Sequence, residues 1–370
     1  MVWLHGVRRI GKTTLCRSLD EVVYFDCELP SVRRQLDAPE RFFGDFRGAR
    51  VALDEIHRLQ RPSEVLKIAA DHFPDIRVIA TGSSTLAAKA KFADTLTGRK
   101  TSLWLTPIMS HDLHDFQAEH LPDRLWYGGI PPFFLEREKA QPEEYEEWLD
   151  SFWARDVQEL FRLERRGSFM RFVELLVVNS GGIFEATTYA GPCEVSRTTI
   201  SNYLGVLEET RVAHIIRPYS TRRATEIVGA PKVYAFDTGF VRHARGLTEP
   251  RSEDYGAFWE HYVLNEIQAR VPGARPHYWR TKQRQEMDFV FDLGERGLLA
   301  VECKWSEGSL GELRGLRAFK NAYPAAAAVV VVPSLSREYT IGLGGAQQGR
   351  VIDLEGLIAR LAQQQGGPAA

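Results

Sequence analysis

The sequence predicts an α/β protein in which a parallel sheet comes first, a helix-rich middle follows, and a second, smaller α/β unit closes the chain. Three observations predict it. Short apolar segments alternate with helical stretches from Val2 to Leu105, the pattern of a parallel sheet covered on both faces. A glycine-containing turn joins the first of these segments to the first helix. A later segment, Val51-Ala52-Leu53, ends in two adjacent carboxylates.

The elements follow in order. Val2-Trp3-Leu4-His5 is the first strand, and a helix runs on from about Lys12 to Leu19. Val22-Val23-Tyr24-Phe25, Val51-Ala52-Leu53 and Val78-Ile79-Ala80 are further strands, and Ser102-Leu103-Trp104-Leu105 is a fifth candidate that stops before Pro107. Tyr127-Gly128-Gly129-Ile130-Pro131-Pro132 turns the chain out of this region. Helix is expected from Glu143 to Phe161. From Phe169 to Tyr219 the order is helix, short helix, helix, strand. Ser196 can cap the third helix, where Ile200, Tyr203, Leu204 and Leu207 recur at helical spacing. Three small helices with a strand pair is the layout of a winged helix-turn-helix. The last segment starts near Lys232-Val233-Tyr234-Ala235-Phe236. It has a helix from about Tyr255 to Arg270, strands at Pro276–Arg280, Glu286–Phe291 and Leu298–Lys304, a helix near Leu310–Ala322, and an apolar strand ending at Val332. The expected divisions are 1–125 for the sheet domain, 126–168 for a helical lid, 169–230 for the winged helix, 231–362 for the second α/β domain, and 363–370 for a frayed tail.

Composition sets limits. The 370 residues suffice for two or three domains with real cores. With 44% hydrophobic and 26% charged residues the chain has the balance of a soluble globular protein. A net charge of −2 provides no global basic field, so nucleic-acid contact would need local patches. Cys16, Cys27, Cys193 and Cys303 form no C-x-x-C pair, which argues against zinc or a disulfide framework and fits a reducing cytoplasm. The longest apolar run, 325–332, is too short for a bilayer, and no signal peptide is expected because the glycine turn lies almost at the first residue.

The turn itself, Gly6-Val7-Arg8-Arg9-Ile10-Gly11-Lys12-Thr13, matches G-x-x-x-x-G-K-[ST] in full. Glycines allow a tight turn whose N–H groups point at phosphate oxygens, and the helix opening at Lys12 adds its positive end. In that chemistry Lys12 reaches the β- and γ-phosphates, the Thr13 hydroxyl ligates Mg²⁺, and Thr14 follows within the first turn. Asp54 would hold Mg²⁺ and Glu55 would polarise the attacking water as general base. Taken alone, the pair could instead cap the next helix. Thr81-Gly82-Ser83-Ser84 offers hydroxyls that could sense a γ-phosphate or simply cap a turn. Arg99 is a candidate trans-acting arginine finger, although a surface arginine is the commoner case.

These features resemble, in this order, a large prokaryotic group of AAA-type P-loop ATPases that carry a C-terminal winged helix and a PD-(D/E)xK nuclease-like domain. The C-terminal segments that carry the resemblance are Arg155-Asp156, Lys232-Val233-Tyr234, Phe236-Asp237-Thr238-Gly239, Tyr278-Trp279-Arg280, Glu286-Met287-Asp288-Phe289-Val290 and Val301-Glu302-Cys303-Lys304. Members usually carry residues upstream of the first strand, whereas this chain begins on it. The resemblance implies a P-loop NTPase sheet followed by a winged helix and a restriction-endonuclease-like α/β domain.

Asp288 with Glu302-Cys303-Lys304 fits the D…(D/E)-x-K pattern of such nucleases. A hairpin closed through Asp292-Leu293-Gly294-Glu295-Arg296-Gly297 would set Asp288 opposite Glu302, with Glu302 and Lys304 on one face. Asp288 and Glu302 could then hold Mg²⁺ and Lys304 orient hydroxide. Glu260 or Glu266 could complete the site, and they cannot both face it; Glu260 is favoured. Arg280, Lys282 and Arg284 suit phosphates. Charged hairpin edges are also often merely solvated, and folds outlive activities. In the middle, Arg197, Thr198, Ser201 and Asn202 could enter a groove of DNA with Arg217, Arg222 and Arg223 as a basic wing, although Glu208-Glu209 would repel phosphate. The expected ligands are ATP and Mg²⁺. DNA and further copies of the chain are candidate partners, and no membrane contact is expected. The alternative function is a nucleotide-driven signalling or assembly switch whose nuclease-like domain is non-catalytic.

Overall fold

The computed structural model describes residues 1–82, 96–117, 120–161, 163–222, 229–311 and 313–363. Ser83, Ser84, Arg223 and the tail from 364 onward lie outside the described residues. The chain forms two compact units of interleaved stretches: 1–108, 130–172 and 193–213 in the first, 109–129, 173–192 and 214–370 in the second.

The first unit is built on five strands: β1 (Val2–His5), β2 (Val22–Asp26), β3 (Arg50–Asp54), β4 (Arg77–Gly82) and β5 (Thr101–Trp104). They are all parallel, in the order β2-β3-β4-β1-β5. Val51, Ala52 and Leu53 are fully buried, as a near-continuous apolar run requires in a sheet covered on both faces. Phe43, Leu66 and Ala80 pack with Val51 and Leu53 in one core, and Ala52 packs with Leu4 and Cys16 in another. This order places the carboxyl end of β1 next to that of β4, and β4 next to β3, which is where ligands bind in open parallel sheets. The expected helix over 143–161 is interrupted. An α-helix at Pro142–Phe152 widens into a π turn at Trp153–Val157 and resumes at Gln158–Phe161. Trp148 and Phe152 stack at 5.6 Å, and Phe133 stacks on Tyr145 at 4.3 Å. In helix Arg197–Glu209, the Ser196 hydroxyl accepts the Thr199 N–H at 3.1 Å, so the cap is where the sequence puts it. Ile200, Tyr203, Leu204 and Leu207 are buried, while Arg197, Thr198, Ser201 and Asn202 are exposed.

The second unit contains β6 (Gly182–Ile183), β7 (Ala213–Pro218), β8 (Lys232–Ala235), β9 (His277–Arg280), β10 (Glu286–Asp292), β11 (Leu298–Cys303), β12 (Ala327–Val331), β13 (Tyr339–Gly344) and β14 (Gln347–Ile352). They form one sheet ordered β13-β14-β12-β11-β10-β9-β7-β8-β6. The strands of the middle segment therefore do not stand apart: β7 pairs in parallel with β9 and extends the C-terminal sheet. Helix Ser252–Arg270 buries Phe258, Trp259, Tyr262, Val263 and Leu264. The chain also continues beyond the apolar strand at which the sequence reading ends. It adds the β13–β14 hairpin and helix Leu354–Ala362. Gly342, Gly344, Gly345 and Gly349 make that hairpin read as loop.

Candidate functional site

The first candidate site grows from the turn after β1. Arg9 (φ 57°) and Gly11 (φ 102°) both take left-handed backbone, which a side-chain-bearing residue adopts only at a cost. Gly6 has no room for a side chain, since a Cβ there would lie 2.5 Å from the Leu105 carbonyl oxygen. Helix Lys12–Ser18 starts directly on Gly11. Lys12 is buried, and its Nζ folds back to donate to the Gly6 and Val7 carbonyls at 2.9 and 3.1 Å. Burial pulls its pKa down, against the nearby carboxylates of Glu55, Asp156 and Asp54.

Asp54, at the end of β3, is the anchor of the site. Its Oδ2 accepts hydrogen bonds from the Thr13 and Tyr24 hydroxyls, both at 2.7 Å, and its Oδ1 accepts from Thr81. The next residue, Glu55, has left-handed backbone (φ 53°), and its N–H donates to Thr81 Oγ1 at 3.0 Å. Non-glycine residues held in this region cluster at functional sites. Glu55 Oε2 lies 3.0 Å from His57 Nδ1, an ion-pair distance without the alignment of a hydrogen bond. Burial by itself would raise the Glu55 carboxyl. The His57 ring with Lys12 and Arg8 outweighs it and holds the pKa at about 2. Glu55 is therefore ionised at neutral pH.

Further residues surround the loop that no motif marks. Asp156, on the π turn, is buried and pairs with Arg8 at 3.4 Å. Its pKa is raised, chiefly by burial, with Arg8 and Lys12 opposing. Trp148 Nε1 donates to the Arg8 carbonyl at 3.1 Å, and Glu147 pairs with Arg9. Single π turns are frequent at functional sites, yet nothing in local spacing announces one. Only the Arg155-Asp156 pair in the family resemblance pointed there. Tyr24 was likewise missed, because a tyrosine within a strand reads as packing. Arg99 is bound bidentately to Asp71, at 2.6 and 3.2 Å, on the surface.

The second group of predicted residues lies in the second unit. In the β10–β11 hairpin Phe289 pairs with Val301, so Asp288 and Glu302 come level. The Cys303 N–H donates to Asp288 Oδ2 at 2.7 Å. Glu302 and Lys304 share a face, with Nζ 2.9 Å from Oε1. Glu260 is the helix carboxylate beside them. Glu266 instead accepts from Ser110 N and Oγ and pairs with Arg270. Burial, then Glu260 and Glu302, push the Asp288 pKa well above the carboxylate range. Burial also raises that of Glu302 against the pull of Lys304. Glu302 Oε2 is buried with no hydrogen-bond partner. Sequence reasoning missed Lys232 and Tyr234 as members. Lys232 Nζ lies 3.0 Å from Glu260 Oε1 and 2.6 Å from Glu286 Oε1, and the Tyr234 hydroxyl donates to Glu260. Among the described residues, no three His, Cys, Asp or Glu side chains are grouped as a ligand set for a metal ion.

Comparison with known proteins covers the chain in three parts. Residues 1–113 match the AAA domain family, which agrees with the parallel sheet and its loop. Residues 118–251 match a domain of unknown function (DUF8612), and residues 255–344 match another (DUF4143). An uncharacterized protein of Mycobacterium tuberculosis and one of Mycobacterium bovis are each 27% identical over 306 residues, spanning 80% of this chain and 68% of the relative. Among solved structures, the Aeropyrum pernix ORC1 protein in complex with DNA is 14% identical, covers 67% of this chain and 86% of that chain, and has a TM-score of 0.29. The Cdc6p structure from Pyrobaculum aerophilum is 13% identical, covers 66% and 85%, and has a TM-score of 0.24. Scores this low leave the topology of each part to be read from the chain itself. No helix among the described residues is long and apolar enough to cross a membrane.

Proposed function

We propose that this chain binds ATP with Mg²⁺ at the loop of residues 6–13, hydrolyses it, and couples that cycle to contact with nucleic acid. The observation that carries the ATP reading is the Thr13–Asp54 pair. Two oxygen ligands suited to Mg²⁺ meet at 2.7 Å beside a loop whose backbone and lysine suit phosphates. The donor set fits: both are hard oxygen ligands, and Tyr24 and Thr81 hold Asp54 in place. When bound, Mg²⁺ neutralises charge on the phosphate oxygens. On the chain's side, Lys12 leaves the Gly6 and Val7 carbonyls to meet the incoming phosphates. Glu55, ionised and fixed by Thr81 at its backbone, accepts a proton from the attacking water. Thr14 follows Thr13 in the first helical turn as part of the same loop-to-helix junction.

Nucleic-acid contact is supported by surface chemistry. The order helix, β6, helix, helix, β7, β8, with β8 between β6 and β7 in the sheet, is that of a winged helix. In the first unit helix Arg197–Glu209 exposes Arg197, Thr198, Ser201 and Asn202, and in the second unit Arg217 and Arg222 are exposed. A second place is an open groove of about 580 Å³ lined by Trp279, Thr281, Gln285, Arg314, Arg317 and Asn321. Arg314 and Arg317 sit in the first turns of their helix with no acidic residue there. The helix dipole disfavours cations at that end, and a phosphate would relieve the repulsion. The test is a titration of a fluorescent ATP analogue and of labelled single- and double-stranded DNA into the chain and into Lys12→Ala. We expect salt-sensitive DNA binding that responds to ATP only when Lys12 is present. Analogue binding unchanged in Lys12→Ala would sink the ATP reading; DNA binding absent at low salt would sink the coupling.

A further inference from the structure

The carboxylates of the C-terminal sheet are not left open. Glu260 Oε1, on helix Ser252–Arg270, takes the Lys232 ammonium at 3.0 Å and the Tyr234 hydroxyl. The same ammonium meets Glu286 Oε1 at 2.6 Å, and Glu286 Oε2 has Arg280 Nε at 3.6 Å. Glu302 Oε1 has Lys304 at 2.9 Å, and Asp288 Oδ2 accepts the Cys303 N–H. Four carboxylates are thus matched by three cations, and Glu302 Oε2 is the cluster's one buried oxygen without a hydrogen-bond partner.

A divalent ion needs several carboxylate oxygens turned toward one point, at about 2.0–2.1 Å for Mg²⁺. An ammonium takes oxygens at roughly 2.7–2.9 Å. An ion taking the Glu260 oxygen would bring a second positive charge within a few ångströms of the Lys232 ammonium, and their repulsion in a buried setting opposes its binding. Lys232 is placed to win. Its side chain is only 5% exposed, it comes from β8, and β8 is fixed in the sheet between β6 and β7.

We propose that Lys232 is the resident cation of this cluster, holding the Glu260 oxygen that a divalent ion would need to share with Asp288 and Glu302, so that these carboxylates hold no metal while Lys232 is in place. The C-terminal unit is then a nucleic-acid-contacting or structural module with a lysine-neutralised core, not a metal-dependent strand-cutting centre. The inference is independent of the ATP reading, which rests on other residues.

The test is Mn²⁺ titration of the full chain without nucleotide, following free Mn²⁺ by electron paramagnetic resonance. Asp288→Asn, Lys232→Met and the double variant are compared with the wild type. We expect the wild type and Asp288→Asn to bind Mn²⁺ alike. Lys232→Met should gain a site at least tenfold tighter than anything in the wild type at these residues, and adding Asp288→Asn should remove it. A wild-type Mn²⁺ site that Asp288→Asn abolishes would overturn the proposal, and so would a folded Lys232→Met that gains no site. Should Lys232→Met fail to fold, Lys232→Gln replaces it in the same comparison, and a folded Lys232→Gln that gains no Asp288-dependent site overturns the proposal.

Discussion

Asp54→Asn isolates the residue on which the nucleotide site turns. The carboxylate accepts three hydroxyl hydrogen bonds, from Thr13, Tyr24 and Thr81, and is 2% exposed. A hydrogen bond to a charged acceptor contributes about 1.5–3 kcal/mol, against about 1 for a neutral one. Asparagine keeps the shape but offers one carbonyl oxygen and places an NH₂ against a hydroxyl. Two hydroxyls, Thr13 and Tyr24, share Oδ2, and Thr81 uses Oδ1. One orientation therefore keeps two of the three hydroxyls as donors to oxygen and the other only one, and the rest must turn to accept from the amide. Weakening all three and reversing at least one should cost about 2–4 kcal/mol of the ligand-free chain's stability. That cost is read as a fall in the urea midpoint with unchanged slope. In the proposed nucleotide site the same variant also removes the negative charge offered to Mg²⁺. The gain in affinity for a fluorescent ATP analogue on adding Mg²⁺, measured against EDTA, should fall at least tenfold. An unaltered urea midpoint together with an undiminished Mg²⁺ effect would refute the placement of Asp54 at both jobs.

Two other perturbations probe the same site. Gly6→Ala drives a methyl to 2.5 Å from the Leu105 carbonyl oxygen, so the loop must move away from the residue that follows β5. Analogue affinity should drop at least tenfold by fluorescence titration, with about 1–3 kcal/mol lost in stability; near-wild-type affinity would mean the close approach is irrelevant. Glu55, with its pKa held at about 2, is depressed relative to about 4.3 in the unfolded chain. Its contribution is fully present above that unfolded value and is lost as pH falls through about 2. A gap of that size corresponds to at most about 3 kcal/mol, less where the partly exposed side chain is screened. The difference in urea midpoint between wild type and Glu55→Gln should shrink as pH is lowered from about 5 to 2.5, and a constant difference would contradict the assignment.

The parallel sheet was legible because its strands are buried on both faces. Val51, Ala52 and Leu53 show their role as an unbroken apolar run. The turn of residues 6–13 was legible because its glycines mark where the backbone must bend, and Gly11 does take left-handed backbone. Asp288, Glu302 and Lys304 were brought together by simple hairpin register. Other parts were hidden for physical reasons. Lys232 and Asp156 act at sites more than 25 and 140 residues distant along the chain, and only tertiary pairing reveals that. The π turn at Trp153–Val157 has no local signature. The β13–β14 hairpin carries glycines where strands normally carry β-branched residues, so its pairing outweighs its propensity.

The central claim is that the loop of residues 6–13 and the Asp54-Glu55 pair form an ATP-hydrolysing site. It is tested most directly by phosphate release from ATP with Mg²⁺, measured side by side with analogue binding for wild type and Glu55→Gln. The account predicts Mg²⁺-dependent release by the wild type, and in Glu55→Gln binding within a few-fold of wild type with turnover reduced at least 100-fold. Wild-type turnover in Glu55→Gln, or no ATP binding by the wild type at millimolar nucleotide, would contradict it.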